Sequence, residues 1–402
     1  MVPHIHPLRR EAIRASWLRF RGPWLATFVL RCGGMDDASA QATIRKAAKA
    51  LTSEMQRHND TLCTPLPASE GRLRGPVQAL HWWVRHAIVA CPSCRWIAKA
   101  DDDTFVHVPD VLRYHLSAMP AEGAAHAYFG YSGYYSLVER RGDYFGFHGF
   151  APHYQAATRQ LHHGATAGLG LARLSRKLRA RHGGEHNVTI TAGPFPFACG
   201  PFFALGRRLA AAFAQSPQIA NDVAALSTLP EEGHPLVVED AWLGSVLWRF
   251  LRHTTPVHLF QLNTAWGKLY ADGDGFQVHP AVSIWHNRRK VTARVRVLYE
   301  FAALDHHCPV RVRWELLRRH CCGRRTTGAG ASDGVEWPVW TARIDDESSS
   351  CAARPAVNLR NASTLRALGV ADRLQGVDLW RKERLPRREL DAGNGMRQKS
   401  AG

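Results

Sequence analysis

Three consecutive aspartates, Asp101, Asp102 and Asp103, lie between the apolar run at 96–98 and the segment 104–106. Adjacent carboxylates repel one another, so crowding them is costly unless a cation or hydrogen-bond donors neutralise them. At the junction between a strand and a loop, such a cluster predicts a Mg²⁺ or Mn²⁺ site that also holds a diphosphate, because these ions bind through carboxylates and substrate phosphates. A solvated acidic turn or a helix N-cap explains the same residues.

The composition indicates a globular protein with a basic surface. The 402 residues are 45% hydrophobic and include 13 Trp and 16 Phe, while the net charge is +18. Such a charge favours anionic partners, among them nucleic acids, acidic glycans, anionic membranes and phosphate-bearing substrates. Because the arginines are spread along the chain, charge alone does not choose among these classes.

The nine cysteines argue against a structural zinc site. Cys91 and Cys94 have CxxC spacing, but no second CxxC pair accompanies them, so disulfides or buried thiols are the expected alternatives. Sequons at Asn59, Asn187 and Asn361 permit a secretory lumen.

No apolar run reaches the roughly 18 residues that a membrane-spanning helix needs. The N-terminal residues 1–6 match neither a signal peptide nor an anchor. We therefore expect this chain to carry no membrane anchor.

The elements that must position the aspartates alternate between helices and strands. Helical spacing of Ile13, Trp17 and Phe20 predicts a first helix that ends near Gly22. The pattern then predicts a buried strand over 24–30, helices over 38–58 and 78–89, a strand over 96–100 and a helix from 109. This alternation indicates an α/β fold with a sheet flanked by helices.

The second half of the chain is less regular. Residues 155–187 are basic and rich in Gly and Arg, which suggests an inserted surface element. Regular structure is expected again from 193, with helices over 207–214 and 241–251 and a strand over 282–285. We expect residues 1–295 to form the catalytic domain and 296–402 to be an appended, largely disordered extension.

Four segments in a fixed order resemble the family 31 glycosyltransferases, which include β-1,3-galactosyltransferases, β-1,3-N-acetylglucosaminyltransferases and Fringe. The family patterns are R-x-A-I-R-x-T-W, K-x-D-D-D-x-F-V, the Y-P-x-Y-x-x-G segment and E-D-V-Y-x-G. The matching segments here are residues 10–17, 99–106, 196–205 and 239–244, and Ser283 to His286 match the strand with the late histidine. The resemblance covers roughly residues 9–290.

This resemblance implies a GT-A fold, a Rossmann-like α/β domain that binds a UDP-sugar at the carboxyl ends of its strands. It implies an inverting, Mn²⁺- or Mg²⁺-dependent transfer of galactose or N-acetylglucosamine to a glycan or glycoprotein acceptor through a β-1,3 link. The full-length protein would be a type II membrane protein of the Golgi with a luminal catalytic domain.

The resemblance also implies roles for particular residues. Asp103 and His286 would ligate the metal, and Asp101 and Asp102 would contact ribose or orient the metal's waters. Asp240 would be the general base, because a helix N-terminus tends to keep a carboxylate ionised.

Several roles stay open. Glu239 is the alternative base, and both acidic residues at 239 and 240 also suit a helix cap. Arg14 either binds phosphate or pairs with a structural carboxylate. The phenylalanines and the tryptophan of the later motifs either form an acceptor wall or belong to the core: Phe195, Phe197, Phe202, Phe203 and Trp242.

The sequence also departs from the family pattern. Only eight residues precede Arg9, so we expect the family's first strand to be absent or abbreviated and its anchor and stem to be missing. The chain is then either incomplete at its N-terminus or a diverged copy with reduced activity. A basic polyanion-binding protein and an inactive GT-A relative are the competing interpretations, and the absence of an RNA- or DNA-binding motif argues against nucleic acid as a partner.

Overall fold

The computed structural model describes residues 6–35, 42–67, 74–117, 119, 121–138, 143–148, 190–228, 239–261, 270–272, 277–278, 283–286, 299, 312–316, 339–344 and 357–358. The helices within these ranges are α1 (Pro7–Arg14), α2 (Ala42–His58), α3 (Arg74–Ala90), α4 (Val108–Asp110), α5 (Ala121–Ala124), α6 (Arg207–Gln215), α7 (Pro217–Thr228) and α8 (Glu239–Val246). The strands are β1 (Phe28–Gly33), β2 (Thr61–Pro67), β3 (Trp96–Ala100), β4 (Thr104–Val106), β5 (Ala127–Val138), β6 (Asp143–His148), β7 (Ile190–Gly206), β8 (His258–Gln261), β9 (Tyr270–Asp272), β10 (Gln277–Val278), β11 (Ile284–His286), β12 (Val312–Leu316), β13 (Val339–Ile344) and β14 (Val357–Asn358).

The largest sheet is mixed. Its strand order in the described ranges is β12-β13-β8-β5-β7-β3, and β6 pairs with β5. β8 runs parallel to both β5 and β13, whereas β7 is antiparallel to β5 and β3. The register of β3 against β7 sets Ala100 opposite Phe202, which brings the aspartates after β3 beside the segment around Gly200.

Two smaller sheets contain β1 with β2 and β4 with β11. β1 and β2 form a parallel pair, and β4 lies antiparallel to β11. In that second pairing Thr104 lies opposite His286. The turn between β3 and β4 therefore faces both β7 and β11.

Helices pack against the sheet through apolar faces. The core cluster joins α3, α6 and α8 to β5 and β7, and its largest fully buried side chains include Trp242, Phe197, Phe203 and Phe213. Burying side chains of this size supplies much of the stabilisation of such a fold. Arg207 fixes the end of α3, since its guanidinium donates to the carbonyl oxygens of Ile88 and Cys91.

The close approach of α8 to β7 depends on Gly244. A Cβ at this position would lie 2.5 Å from both Phe197 Cβ and the carbonyl oxygen of Pro196. This contact gives the glycine of the E-D-x-x-x-G segment a packing role.

Most predicted elements are present with shifted ends. The strand expected over 24–30 is β1, which spans Phe28–Gly33, and Leu25 is exposed rather than buried. The strand begins at Phe28 because pairing with β2 begins there: Phe28 lies opposite Thr61, the first residue of β2. The helix expected over 241–251 is regular only to Val246 and continues as a π-helical turn over Leu247–Leu251.

Part of the expected extension at 296–402 joins the folded domain. β12 pairs with β13, β13 extends the main sheet along β8, and β14 pairs with β10. Apart from Tyr299, the rest of that extension lies outside the described residues, as do the expected insertion at 155–187 and the first five residues. Among the helices that the structure describes, none is long and apolar enough to cross a membrane.

Candidate active site

The three aspartates form the turn between β3 and β4. The Asp101 N–H donates to the carbonyl oxygen of Pro201 at 3.0 Å, and the Thr104 N–H donates back to the Asp101 carbonyl oxygen at 3.1 Å. The turn is thus anchored to β7 on one side and closed on itself. Along this turn, the carboxylates of the three aspartates point towards different partners.

Asp103 faces His286 across the pairing of β4 with β11. The distance from Asp103 Oδ1 to His286 Nε2 is 3.5 Å. Asp103 is buried, and the His286 side chain is one-fifth exposed. A carboxylate oxygen and an imidazole nitrogen are thereby placed side by side at the edge of the site.

Asp102 binds the N-terminal helix. Arg9 Nη1 donates to Asp102 Oδ1 at 3.0 Å, and both side chains are at most 10% exposed. Asp102 Oδ2 is buried and has no hydrogen-bond partner among the described residues. The Trp17 indole N–H also donates to the Thr104 carbonyl oxygen at 3.0 Å, so the first motif of the sequence directly supports the aspartate turn.

Asp240 and Glu239 begin α8 on the other side of Gly200. Asp240 Oδ2 accepts the Gly200 N–H at 2.7 Å, and Asp240 Oδ1 accepts the Ala241 N–H at 2.7 Å. A Cβ at Gly200 would lie 3.4 Å from Asp240 Oδ2 and 3.5 Å from Asp101 Oδ2. The missing side chain therefore leaves the space between the two acidic elements open.

Lys99 lies among these carboxylates. Its Nζ donates to the Gly200 carbonyl oxygen and to Glu239 Oε1, each at 2.8 Å, and it also forms an ion pair with Asp101 Oδ1. One cation therefore contacts β7, α8 and the aspartate turn at once.

The environment shifts the pKa values of these acids in different directions. Burial raises the pKa of Asp240 to about 7, and the negative charge of Glu239 adds to the rise, against the opposing effects of Lys99 and the two N–H donors. Burial also raises the pKa of Asp101. Glu239 has a lowered pKa, because the charge and hydrogen bond of Lys99 outweigh its burial. An acid with a pKa near neutrality in such a position is a candidate for proton transfer.

Arg14 pairs with carboxylates. Its guanidinium makes two hydrogen bonds to Asp60, at 2.7 and 2.8 Å, and an ion pair with Glu54 at 2.8 Å. Arg10 binds the same Glu54 through two hydrogen bonds. Of the two roles left open for Arg14, the structure thus displays pairing with structural carboxylates, which fixes α1 against α2.

Comparison with known proteins agrees with the motifs. Over 117 residues the chain is 32% identical to human N-acetyllactosaminide β-1,3-N-acetylglucosaminyltransferase 4, and over 121 residues it is 31% identical to human acetylgalactosaminyl-O-glycosyl-glycoprotein β-1,3-N-acetylglucosaminyltransferase. Each match covers 29% of this chain and 29% of the relative. The resemblance to the family 31 glycosyltransferases is confirmed. No protein-family model matches the chain.

The side chains beside the aspartate turn suit the divalent ion that the family 31 resemblance implies. Asp103 and His286 provide one carboxylate and one imidazole, and the buried Asp102 Oδ2 lies on the same turn. No group of three or more His, Cys, Asp or Glu residues that could hold a metal ion occurs in the described ranges. An ion held by Asp103 and His286 would thus complete its coordination with water or phosphate oxygens.

The aromatic residues of the family 31 motifs belong to the core. Phe195, Phe197, Phe202 and Phe203 are all buried, and Trp242 is buried with its indole N–H donating to Asp222 at 2.8 Å. These contacts favour the core interpretation over an acceptor wall for the aromatic residues of both motifs.

Two contributors to the site were not assigned from the sequence. The sequence presents Lys99 only as part of a motif, although its place two residues before Asp101 indicates that both side chains lie on one face of an extended segment. The sequence does not single out Arg9, because a charged residue at the start of a short helix is usually solvated.

Proposed function

We propose that this chain is an inverting glycosyltransferase of GT-A fold that transfers N-acetylglucosamine or galactose from a UDP-sugar to a glycan, forming a β-1,3 link. The observation that carries the proposal is the arrangement around Gly200. A pair of potential metal ligands lies on one side, and a buried carboxylate with a pKa near 7 lies on the other. The names of the two relatives support N-acetylglucosamine as the first donor to test.

The donor would bind at the aspartate turn. Asp103 and His286 would hold Mn²⁺ or Mg²⁺, which neutralises charge on the departing diphosphate. Asp102 Oδ2 is a buried acceptor that suits a ribose hydroxyl or a metal-bound water, and Asp101 would share this task. The proposal leaves Arg14 outside the nucleotide site because Asp60 and Glu54 already bind its guanidinium.

The acceptor would bind beside Asp240. In the transfer step, ionised Asp240 takes the proton of the acceptor hydroxyl while the hydroxyl oxygen attacks the anomeric carbon from the face opposite UDP. The new C–O bond forms as the bond from the anomeric carbon to the UDP oxygen breaks, so the configuration inverts and UDP carries away the electron pair. Glu239, which is bound to Lys99, would stay ionised and keep its hydrogen bond.

We place the reaction in an oxidising lumen, in keeping with the Golgi expectation. The described cysteines form two disulfides, Cys32–Cys63 and Cys91–Cys94, and leave Cys199 as a buried thiol. Disulfides persist mainly in secretory and extracellular compartments.

The first test is UDP binding by calorimetry with and without Mn²⁺. We expect metal-dependent binding to the unaltered protein, loss of binding in Asp103→Ala, and unchanged binding in the control Glu11→Gln, which alters an exposed carboxylate on α1. A well-folded sample that binds no UDP in either condition would support the inactive relative instead.

The second test separates donor sugars. UDP-N-acetylglucosamine and UDP-galactose would be offered with a galactose-terminated acceptor, and the anomeric configuration and linkage of the product would be read by NMR. An α-linked product, or hydrolysis without transfer, would contradict the proposed inverting mechanism.

A further inference from the structure

Lys99 connects the two acidic halves of the site. It lies on β3, two residues before Asp101, and its ammonium group contacts Asp101 on the aspartate turn and Glu239 at the start of α8. The side chain is only 20% exposed. A lysine with so little solvent around its charge is stabilised mainly by its anionic partners.

Gly200 is held by the same arrangement from both sides. Its carbonyl oxygen accepts from Lys99 Nζ, and its N–H donates to Asp240 Oδ2. Lys99 and Asp240 are therefore linked through a single residue of β7. Movement of the lysine would release the carbonyl, and the position of the N–H that binds Asp240 would no longer be fixed.

We propose that Lys99 is a positioning residue for the transfer: its ammonium group fixes Gly200 and Glu239 beside Asp240, and its positive charge offsets that of Glu239 and so keeps Asp240 available as an ionised base. This inference rests on the proposed function. It assigns to the lysine a task that packing alone does not explain, because a methionine of similar length would fill the same space without its charge.

The charges around Asp240 determine how loss of the lysine's charge would change the ionisation of Asp240. Glu239 opposes ionisation of Asp240, whereas Lys99 favours it. Without the ammonium group, Glu239 and Asp240 would lie side by side with no cation to offset their charges, and Asp240 would bind a proton more readily.

Two titratable groups on neighbouring elements, Tyr128 and His81, are neutral around pH 7. Burial raises the pKa of Tyr128 on β5 well above its usual value, and Cys199 on β7 is a buried thiol. On α3, burial lowers the pKa of His81 to about 4, and its ring contacts Phe213, which in turn contacts Trp242 on α8. The charged side chains that act on Asp240 are thus Lys99 and Glu239.

The decisive comparison is Lys99→Met against Lys99→Arg in the full chain, with kcat/KM measured from pH 5 to 9. In Lys99→Met we expect the acidic limb of the profile to move up by about one pH unit. In Lys99→Arg the limb should stay close to that of the unaltered protein, even if the rate falls because the larger head group fits less well. An unmoved limb in folded Lys99→Met would overturn the proposal.

A second readout needs neither metal nor substrate. The melting temperature of Lys99→Met relative to the unaltered protein should recover as pH falls, because protonation neutralises the carboxylates that have lost their cation. A deficit that is the same at every pH indicates lost packing and overturns the proposal. If the unaltered protein transfers no sugar, this comparison still tests the lysine, so the two proposals fail independently.

A double variant covers the case in which Lys99→Met does not fold. Lys99→Met combined with Glu239→Gln removes one positive and one negative charge. These two charges have opposite effects on the pKa of Asp240. We expect this variant to fold and its pH-dependent melting curve to approach that of the unaltered protein. If Glu239→Gln folds alone but the double variant does not, the lysine is needed for packing and the proposal is wrong.

Discussion

Asp240 combines two properties that usually exclude each other. Its oxygens accept two backbone N–H groups at 2.7 Å, which favour the anion, yet burial and Glu239 raise its pKa to about 7. The hydrogen bonds fix the direction of the carboxylate, while the raised pKa makes it a stronger base than an exposed aspartate. Geometry and basicity are therefore supplied by different neighbours.

The pH profile of transfer should report this residue. Because the base must be ionised, kcat/KM should increase as pH increases through about 7 and then level off. At pH 5 the carboxyl is mostly protonated, and the rate should be far below its plateau. The measurement is initial rate at low acceptor concentration under constant ionic strength. A profile flat between pH 5 and 7 would exclude Asp240 as the titrating base.

Substitution of Asp240 and of Glu239, one at a time, should show which of the two acids is the general base. We expect Asp240→Asn to lower kcat by about 10²- to 10⁴-fold while UDP binding is retained. Glu239→Gln should retain more activity, since Glu239 is bound to Lys99, and should shift the acidic limb to lower pH because it removes a negative charge beside Asp240. The reverse order of losses, with the larger loss in Glu239→Gln, would identify Glu239 as the base.

At the scale of elements, the sequence predicted local structure better than pairing. β3 was predicted with its observed bounds, Trp96–Ala100, because an apolar run ends sharply at the aspartates. The start of β1 was misplaced, since pairing with β2 rather than apolar character decides where that strand begins. The addition of β13 to β8 joins residues about 80 positions apart, and no local pattern indicates such a pairing.

The site itself was predictable as far as its motifs reach. The motifs named the acids and His286, but the contacts between motifs depend on the fold. Arg9 with Asp102 and Lys99 with Glu239 join residues more than 90 positions apart. Such ion pairs follow from the arrangement of helices and strands, which sequence spacing does not encode.

α1 should be essential for the aspartate turn. Arg9→Ala would leave the Asp102 carboxylate buried without its cation, and breaking a buried ion pair in this way costs about 3 kcal/mol. We expect urea unfolding to show a loss of this size and calorimetry to show weaker UDP binding. Arg21→Ala, at an exposed arginine shortly after the same helix, should change the unfolding free energy by less than about 0.5 kcal/mol. Equal losses of unfolding free energy in both variants would show that Arg9 contributes only through the net charge of the protein and not through its ion pair with Asp102.

At the scale of the whole molecule, the groups of the proposed site come from distant parts of the chain. The aspartate turn, α8 and β11 each depend on β7, β3 or β4 for their position. The site thus exists only when the sheets are assembled, and loss of stability anywhere in them should lower activity. This coupling gives the disulfides a role beyond local structure.

The two disulfides should differ in their effect on global stability. Cys32–Cys63 joins β1 to β2 across 31 positions, whereas Cys91–Cys94 spans only 3. Because a cross-link over a longer loop restricts the unfolded chain more, removal of the first by a double Cys→Ser change should cost about 3–4 kcal/mol and removal of the second about 1.5 kcal/mol. Urea unfolding under oxidising conditions measures both, and unfolding under reducing conditions should abolish the difference. If removal of the short-range bridge costs more, the bridge acts mainly on the native turn before β3. That turn, rather than the β1–β2 pair, is then the cross-linked segment that supports the aspartate turn.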